Sequence, residues 1–421
     1  MRVLWFANAP TTEISAHLFK TKLNNASWTE SLHQKLSAAP GMEMGFVFRW
    51  DVRQPIIERI NQTEYFVVPN EASLGEKVVN NLFCRIDSER RIAIYRDIIE
   101  KFRPDVIHIF GTENDFGVVQ EFTDHPCVVQ MQGIINNYIL YYFHAVSPFV
   151  ILTRSKIARL VRGSSYYHSY IKFKKQAVRE RKILKLTKNI SGFTGFDKRA
   201  ALVMGNDLNY YHIPWLLRPP FYYNTWHFPE KKVFRVIAVI NPNTYKGLET
   251  IYRTSELLNM KYPGRFEFVI AGISDVTDIN QLIKKTLSRE TIENSSLVFK
   301  GSLSAEMLIA EMLESHVLMH PSLCDTSPNS ICEAMILGMP VVSTNVGGIP
   351  SIIDDEINGY LVQNMDHLSF AYILNDLREH PQKAMEVGAR ARETALTRHN
   401  EEIIVGDTIK MYKEIIKAGS E

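Results

Sequence analysis

The sequence predicts an α/β protein of two parallel-sheet domains, and three observations carry that expectation. Short apolar runs alternate with longer amphipathic stretches along the 421-residue chain, and strand alternating with helix is the signature of a parallel, doubly wound sheet. The alternation breaks once, at Arg218-Pro219-Pro220, where aromatics and prolines continue to about Lys232 and proline cannot donate to a sheet ladder. The length itself suits two or three domains of roughly 100–200 residues.

The first series of strands is expected at Val3–Phe6, Met44–Phe48, Phe66–Val68, Val106–Phe110, Cys127–Met131 and Tyr210–Ile213, with helices such as Trp28–Leu36 and Arg90–Phe102 between them. The second is expected at Arg235–Ile240, Phe266–Ala271, Leu297–Phe299, Val317–His320 and Val341–Ser343. The division that follows is a Rossmann-like domain over 1–220, a linker over 221–232, a second Rossmann-like domain over 233–398, and a terminal helix over 399–421. In that helix Val405, Ile409, Tyr412 and Ile416 recur on one face.

Hydrophobic residues make up 45% of the chain and charged residues 22%, enough apolar surface for packed cores. The net charge of +2 argues against nucleic acid as a partner. Cys84, Cys127, Cys324 and Cys332 form no Cys-x-x-Cys pair and suit free thiols in a reducing compartment. No apolar run reaches the length of about 18 residues that a spanning helix needs, and the apolar stretch after Met1 is too short for a signal peptide core. A cytoplasmic location is expected. Arg154 to Lys188 holds twelve Lys or Arg and one acid, Glu180, next to an aromatic and aliphatic run from Tyr138 to Leu152. Such a stretch suits docking on the anionic inner face of a membrane, at about 1 kcal/mol per basic residue; a solvated helix face explains it equally well.

The densest pattern runs from Met319 to Pro350. A strand ends near His320, a polar loop carries Asp325, and Ser327-Pro328-Asn329 opens a helix, with Ser327 placed to cap and Pro328 suited to the first helical position. Gly338 and Pro340 stop that helix, a buried strand follows, and Gly347-Gly348 turns the chain. The loop and helix start fall at the carboxyl edge of a parallel sheet, where such folds bind ligands. Backbone N–H groups of Asn329 and Ser330 at the helix start suit a diphosphate. Asp325 is placed to accept hydrogen bonds from sugar hydroxyls, and Glu333 from a ribose.

This combination resembles glycosyltransferase family 4, retaining enzymes of the GT-B fold, in which two Rossmann-like domains face a cleft. The family's Glu-x7-Glu motif and Ala-Met-x-x-Gly-x-Pro-Val-Val segment are met by Asp325, seven residues, Glu333-Ala334-Met335, Gly338-Met339-Pro340-Val341-Val342 and Gly347-Gly348. Aspartate replaces the first glutamate. The resemblance implies that the first acid contacts the donor sugar and the second the ribose. Lys246-Gly247 is similar to the family's Lys-Gly element, whose cation neutralises the departing diphosphate; five positions before it the family often has arginine, and here stands Asn241. Lys300-Gly301 and Ser304-Ala305-Glu306 resemble the segment that receives the nucleobase.

In the first half, Pro104-Asp105-Val106-Ile107-His108 is similar to a family strand, with His108 a candidate for the cleft and equally for the core. Gln132 occupies the place of a family histidine, and Asn24-Asn25-Ala26-Ser27-Trp28 the place of paired glycines. The resemblance further implies that the terminal helix crosses back to the first domain.

The reading is a retaining, metal-independent glycosyltransferase, with no cofactor beyond its nucleoside diphosphate sugar, a UDP-sugar being favoured. Its acceptor is a glycan or lipid-linked sugar, as in cell-surface polysaccharide synthesis. Asp325 and Lys246 are the catalytic candidates. Glu333, Asn329, Ser330, Ser327, Asn241, Lys300, His108 and Gln132 are the substrate-binding ones. No metal-ligand spacing occurs. A nucleotide-sugar epimerase of the same fold and an inactive nucleotide-sugar binding protein are the alternatives, because fold alone does not fix chemistry.

Overall fold

A computed structural model describes residues 1–20, 28–71, 73–154, 159 and 162–420. The chain divides into two compact α/β units. The first comprises Met1–Ile139, Ser155–Leu216 and Asn400–Glu421; the second comprises Leu140–Arg154 and Leu217–His399.

The first unit holds strands β1 (Arg2–Phe6), β2 (Glu43–Trp50), β3 (Ile56–Ile60), β4 (Thr63–Pro69), β5 (Val106–Phe110), β6 (Cys127–Gln130), β7 (Asn189–Gly192) and β8 (Asn209–His212). They form one sheet in the order β3-β4-β2-β1-β5-β6-β7-β8, parallel throughout except for the edge pair β3–β4. Both faces are covered. Val3, Trp5, Phe46 and Phe110 pack in one core, while Leu4, Phe6, Val47 and Ile109 pack in another. Two-sided burial is why these strands read as unbroken apolar runs.

The second unit holds β9 (Phe234–Val239), β10 (Phe266–Ala271), β11 (Leu297–Gly301), β12 (Val317–His320), β13 (Val341–Thr344) and β14 (Tyr360–Val362). Their order is β11-β10-β9-β12-β13-β14, all parallel.

Three strands went unseen in the sequence. β3 is an edge strand with alternating partial burial, β14 has three residues, and β7 reads Asn-Ile-Ser-Gly, held by its neighbours rather than by propensity. Residues 140–154, expected within the first domain, group with the second unit, where helix Pro148–Arg154 packs on helix Asp278–Lys284. The expected linker 221–232 is anchored to that unit as well. Trp226 is buried, and its backbone and indole N–H groups donate to Leu337 O at 2.7 Å and Ser315 O at 2.8 Å.

The helix Glu401–Ser420 packs in the first unit through Ile404, Met411, Tyr412 and Ile415. Val405, Ile409 and Ile416, the other residues read from the periodicity, are partly buried and pack against the same core. Trp5 Nε1 donates to the Tyr412 hydroxyl at 3.0 Å, and His108 Nδ1 lies 2.6 Å from that hydroxyl. His108 is thus a core residue rather than a substrate ligand. It is buried, stacks on Phe110, and burial pushes its pKa down to about 3.

Within the basic stretch, the helix Tyr166–Leu186 buries Ala177, Arg179, Glu180, Ile183 and Leu184. Glu180 accepts from the Thr112 hydroxyl at 2.7 Å and from the backbone N–H groups of Ile135 and Asn136 at 3.1 and 2.9 Å. The one acid of that run is structural.

Tyr412→Phe removes the acceptor of a buried indole N–H. It is expected to destabilise the protein by about 1–3 kcal/mol, measured as a shift of the urea midpoint at unchanged slope.

Candidate functional site

In the second unit, the carboxyl ends of β9 and β12 bring two sequence candidates into direct contact. Lys246 Nζ lies 2.6 Å from Asp325 Oδ2. Lys246 closes a one-turn 3-10 helix, Thr244–Lys246, in the loop after β9; Asp325 sits in the loop after β12. Two glycines set the approach of these loops. Gly247 has φ +71, and a Cβ there would meet Pro321 O at 2.0 Å; Gly347 has φ +57, and a Cβ there would meet Asp325 O at 1.9 Å. Both positions need left-handed backbone and no side chain. Leu323 N donates to Tyr245 O at 2.8 Å and Gly348 N to Asp325 O at 2.9 Å, tying the loops together. Hydroxyls of β13 complete the fastening: Ser343 Oγ donates to His320 O at 3.0 Å and Thr344 Oγ1 to Ser322 O at 2.6 Å.

His320, not foreseen as a site residue, completes the cluster. Its Nε2 lies 3.1 Å from Asp325 Oδ2 and its Nδ1 3.4 Å from Ser330 Oγ. A chain of polar contacts therefore runs from Lys246 through Asp325 and His320 to the start of the helix Asn329–Leu337. Burial works to raise the Asp325 pKa, but Lys246 and His320 outweigh it and hold the carboxyl far below its usual range. Burial lowers the His320 pKa despite Asp325; a carboxylate only accepts, so the Nε2–H donates to it.

The helix start differs from the expected capping. Pro328, with φ −71 and ψ 120, is the residue before the helix rather than its first member, and no side chain caps the start. Ser327 therefore does not serve as the cap. An uncapped helix start leaves N–H groups for a ligand, and those of Asn329 and Ser330 come first in the helix. Several buried polar atoms nearby have no protein partner: Asn329 Oδ1, Thr244 Oγ1, Ser322 Oγ and Asn364 Oδ1. Buried polar groups are rarely left so, and this concentration marks a place for a polar ligand.

Glu333, one further turn along the helix, is 3% exposed. Arg218 grips it with two hydrogen bonds, Nε–Oε1 at 2.7 Å and Nη2–Oε2 at 2.8 Å. Burial raises the Glu333 pKa and Arg218 offsets this only in part. Arg218 lies 115 residues away in sequence, and no local pattern announces the pair.

The other candidates have partners of their own. Lys300 is ion-paired with Glu311 at 2.8 Å. Asn241, exposed, accepts from Asn243 at 2.8 Å. Gln132, in the first unit, accepts from Asn8 at 2.8 Å. Residues 24–27 of the early loop lie outside the described residues. Among the described residues no group of three or more His, Cys, Asp or Glu is placed to hold a metal ion, and no helix is long and apolar enough to cross a membrane.

Residues 226–394 match a family model described as glycosyl transferases group 1, a broader grouping than the family the motifs resemble. Two curated relatives are similar over this part. The phosphatidylinositol N-acetylglucosaminyltransferase gpi3 subunit of Schizosaccharomyces pombe is 26% identical over 35% of this chain and 32% of its own. The amylovoran biosynthesis glycosyltransferase AmsK of Erwinia amylovora is 26% identical over 40% of this chain and 42% of its own. The chain thus spans less than half the length of these relatives.

Solved structures are similar over the whole chain. Sucrose-phosphate synthase from Thermosynechococcus elongatus superposes with a TM-score of 0.73 at 15% identity, covering 99% of each chain. Anabaena HepE, in complex with UDP and glucose, superposes with a TM-score of 0.66 at 14% identity, covering 98% of this chain and 100% of its own. The fold is the two-domain GT-B arrangement of these glycosyltransferases.

Lys246→Met leaves the buried Asp325 carboxylate without its cation. It is expected to cost about 3–5 kcal/mol at neutral pH. The folded Asp325 pKa lies far below its unfolded value, so the pair's stabilisation is present above that unfolded value and is lost only as pH falls through the folded one. Urea melts of wild type and variant should therefore differ at neutral pH, begin to approach one another below about pH 4, and still differ at about pH 3.

Proposed function

We propose that this protein is a glycosyltransferase that takes a sugar from a nucleoside diphosphate donor held in its second unit and passes it to a glycan or lipid-linked acceptor held in its first. The observation that carries this reading is the Lys246–Asp325–His320 cluster at the uncapped start of the helix Asn329–Leu337. It puts a cation, an uncapped helix start and a carboxylate within one small, buried region, which supports a role in holding a diphosphate and its sugar. The glycosyl transferases group 1 match over 226–394 supports it.

In this reading the bond between the anomeric carbon and the β-phosphate oxygen breaks, and its electron pair leaves with the nucleotide. Lys246 and the N–H groups of Asn329 and Ser330 stabilise the charge that develops there. Preorganised stabilisation of this kind is commonly the largest catalytic contribution, and it asks for no metal. Asp325 orients the donor sugar. Its present partner, Lys246, must turn toward the diphosphate when donor binds, which frees a carboxylate oxygen for a hydroxyl. Glu333, steadied by Arg218, receives the ribose hydroxyls.

Transfer is with retention, by attack on the face the leaving group vacates, the departing phosphate taking the acceptor proton. UDP is the favoured nucleotide. A place in cell-surface polysaccharide assembly is supported by the similarity to AmsK, whose description is amylovoran biosynthesis. The similarity to a phosphatidylinositol N-acetylglucosaminyltransferase subunit, the basic helix Tyr166–Leu186, and the exposed Leu140 and Phe149 support a lipid-linked acceptor met at the inner face of a membrane.

A thermal-shift screen with UDP, GDP and ADP in the presence of EDTA tests the reading. One nucleotide, UDP first, should raise the melting temperature by a few degrees at about 100 times its Kd. Lys246→Ala and Glu333→Ala should fold and lose that shift. No shift with any of the three in wild type would remove the proposal.

A further inference from the structure

Asp325 has to keep its place while its cationic partner leaves it. Its Oδ2 holds two donors at once, Lys246 Nζ at 2.6 Å and His320 Nε2 at 3.1 Å, and its Oδ1 holds the backbone N–H of Thr326 at 3.2 Å. The two donors on Oδ2 differ in kind. Lys246 carries its charge on a flexible four-carbon stem in the loop after β9, so it can pass from the carboxylate to a diphosphate.

His320 is held far more firmly. It is the last residue of β12, which lies between β9 and β13 in the sheet, and its carbonyl takes the Ser343 hydroxyl at 3.0 Å. It is 2% exposed, and its ring is met at both nitrogens, Nε2 by Asp325 and Nδ1 by Ser330 Oγ at 3.4 Å. A group carried on an interior strand and locked by its neighbours is placed more precisely than one on a loop.

Without Lys246, Asp325 is left with one backbone N–H and the imidazole. The terminal torsion of an aspartate is broad, so a carboxylate held by Thr326 alone can turn its other oxygen away from a sugar hydroxyl. The Nε2–H pins that oxygen whatever the charge of the ring, because a carboxylate only accepts. Oδ2 then stays in place, and the side that Lys246 has vacated is open to a hydroxyl. Ser330 extends the arrangement. It is the second residue of the helix Asn329–Leu337, so one ring bridges the acid assigned to the sugar and the helix start assigned to the diphosphate.

We propose that His320 is a positioning residue of the transfer reaction, keeping the Asp325 carboxylate aimed at the donor sugar once Lys246 has moved to the diphosphate, with Ser330 steadying the ring from its other nitrogen. This rests on the donor reading above and adds to it a residue that touches neither sugar nor phosphate.

Donor hydrolysis, with water in place of the acceptor, tests the role. Release of nucleoside diphosphate is followed from UDP-glucose, UDP-N-acetylglucosamine, GDP-mannose and ADP-glucose. With the donor that wild type turns over, His320→Phe, which fills the ring's volume without an N–H, should lower kcat by about tenfold to a hundredfold. KM, and the thermal shift given by the matching nucleoside diphosphate, should stay at their wild-type values. His320→Gln, whose amide N–H can stand where Nε2 does, should recover most of the loss. Should the Phe variant fail to fold, His320→Asn takes its place: its amide reaches the position of Nδ1 and not that of Nε2, so it should lose kcat and Gln should not. A kcat equal to wild type, a loss that Gln does not recover, or a loss shared equally by KM and the thermal shift overturns the proposal and leaves the donor reading standing. Wild type that turns over none of the donors and shifts with none of the nucleotides strikes the donor reading, and this inference with it.

Discussion

The second unit is organised around a short ion pair, Lys246 to Asp325, that two loops are built to make. Burying two charges is expensive, and their mutual attraction repays the cost only when geometry and additional hydrogen bonds are good. Both conditions are met by particular residues. Gly247 and Gly347 let the backbones meet where any side chain would collide, and His320 supplies a further donor to the carboxylate. A fold seeking stability alone would have little reason to retain this arrangement, since a well-packed apolar pair often does as well. Held this way, the pair keeps a cation and a carboxylate dry, rigid and adjacent to an open helix start, which is the preorganisation that stabilising a departing diphosphate requires.

Buried polar groups without protein partners are found at the same place. Asn329, Thr244, Ser322 and Asn364 each keep a buried polar atom unpaired, and the helix start goes uncapped. By contrast, the helix Gly195–Met204 of the first unit carries a full capping box.

Much of the fold was legible in the sequence because its strands are buried on both faces. Val106–Phe110, Phe266–Ala271 and Val317–His320 stand where the apolar runs place them. β7 and β3 were not legible: one is held in register by its neighbours and the other is a half-exposed edge, so neither needs an apolar sequence. Of the site, the loop acid, the lysine and the helix start could be read because each lies in a contiguous motif. Arg218 and His320 could not. Arg218 finds Glu333 across 115 residues, and His320 looks like one more buried strand residue until its two ring nitrogens are seen between Asp325 and Ser330. For His108 the sequence left cleft and core equally open, and its surroundings, Trp5 and Tyr412, make it core.

The most direct test is a crystal structure with UDP. The account predicts the β-phosphate within hydrogen-bond distance of Lys246 Nζ and the N–H groups of Asn329 and Ser330, with the ribose on Glu333. The Lys246–Asp325 contact should be opened or lengthened. UDP bound elsewhere, with that ion pair unchanged and the helix start empty, would contradict it.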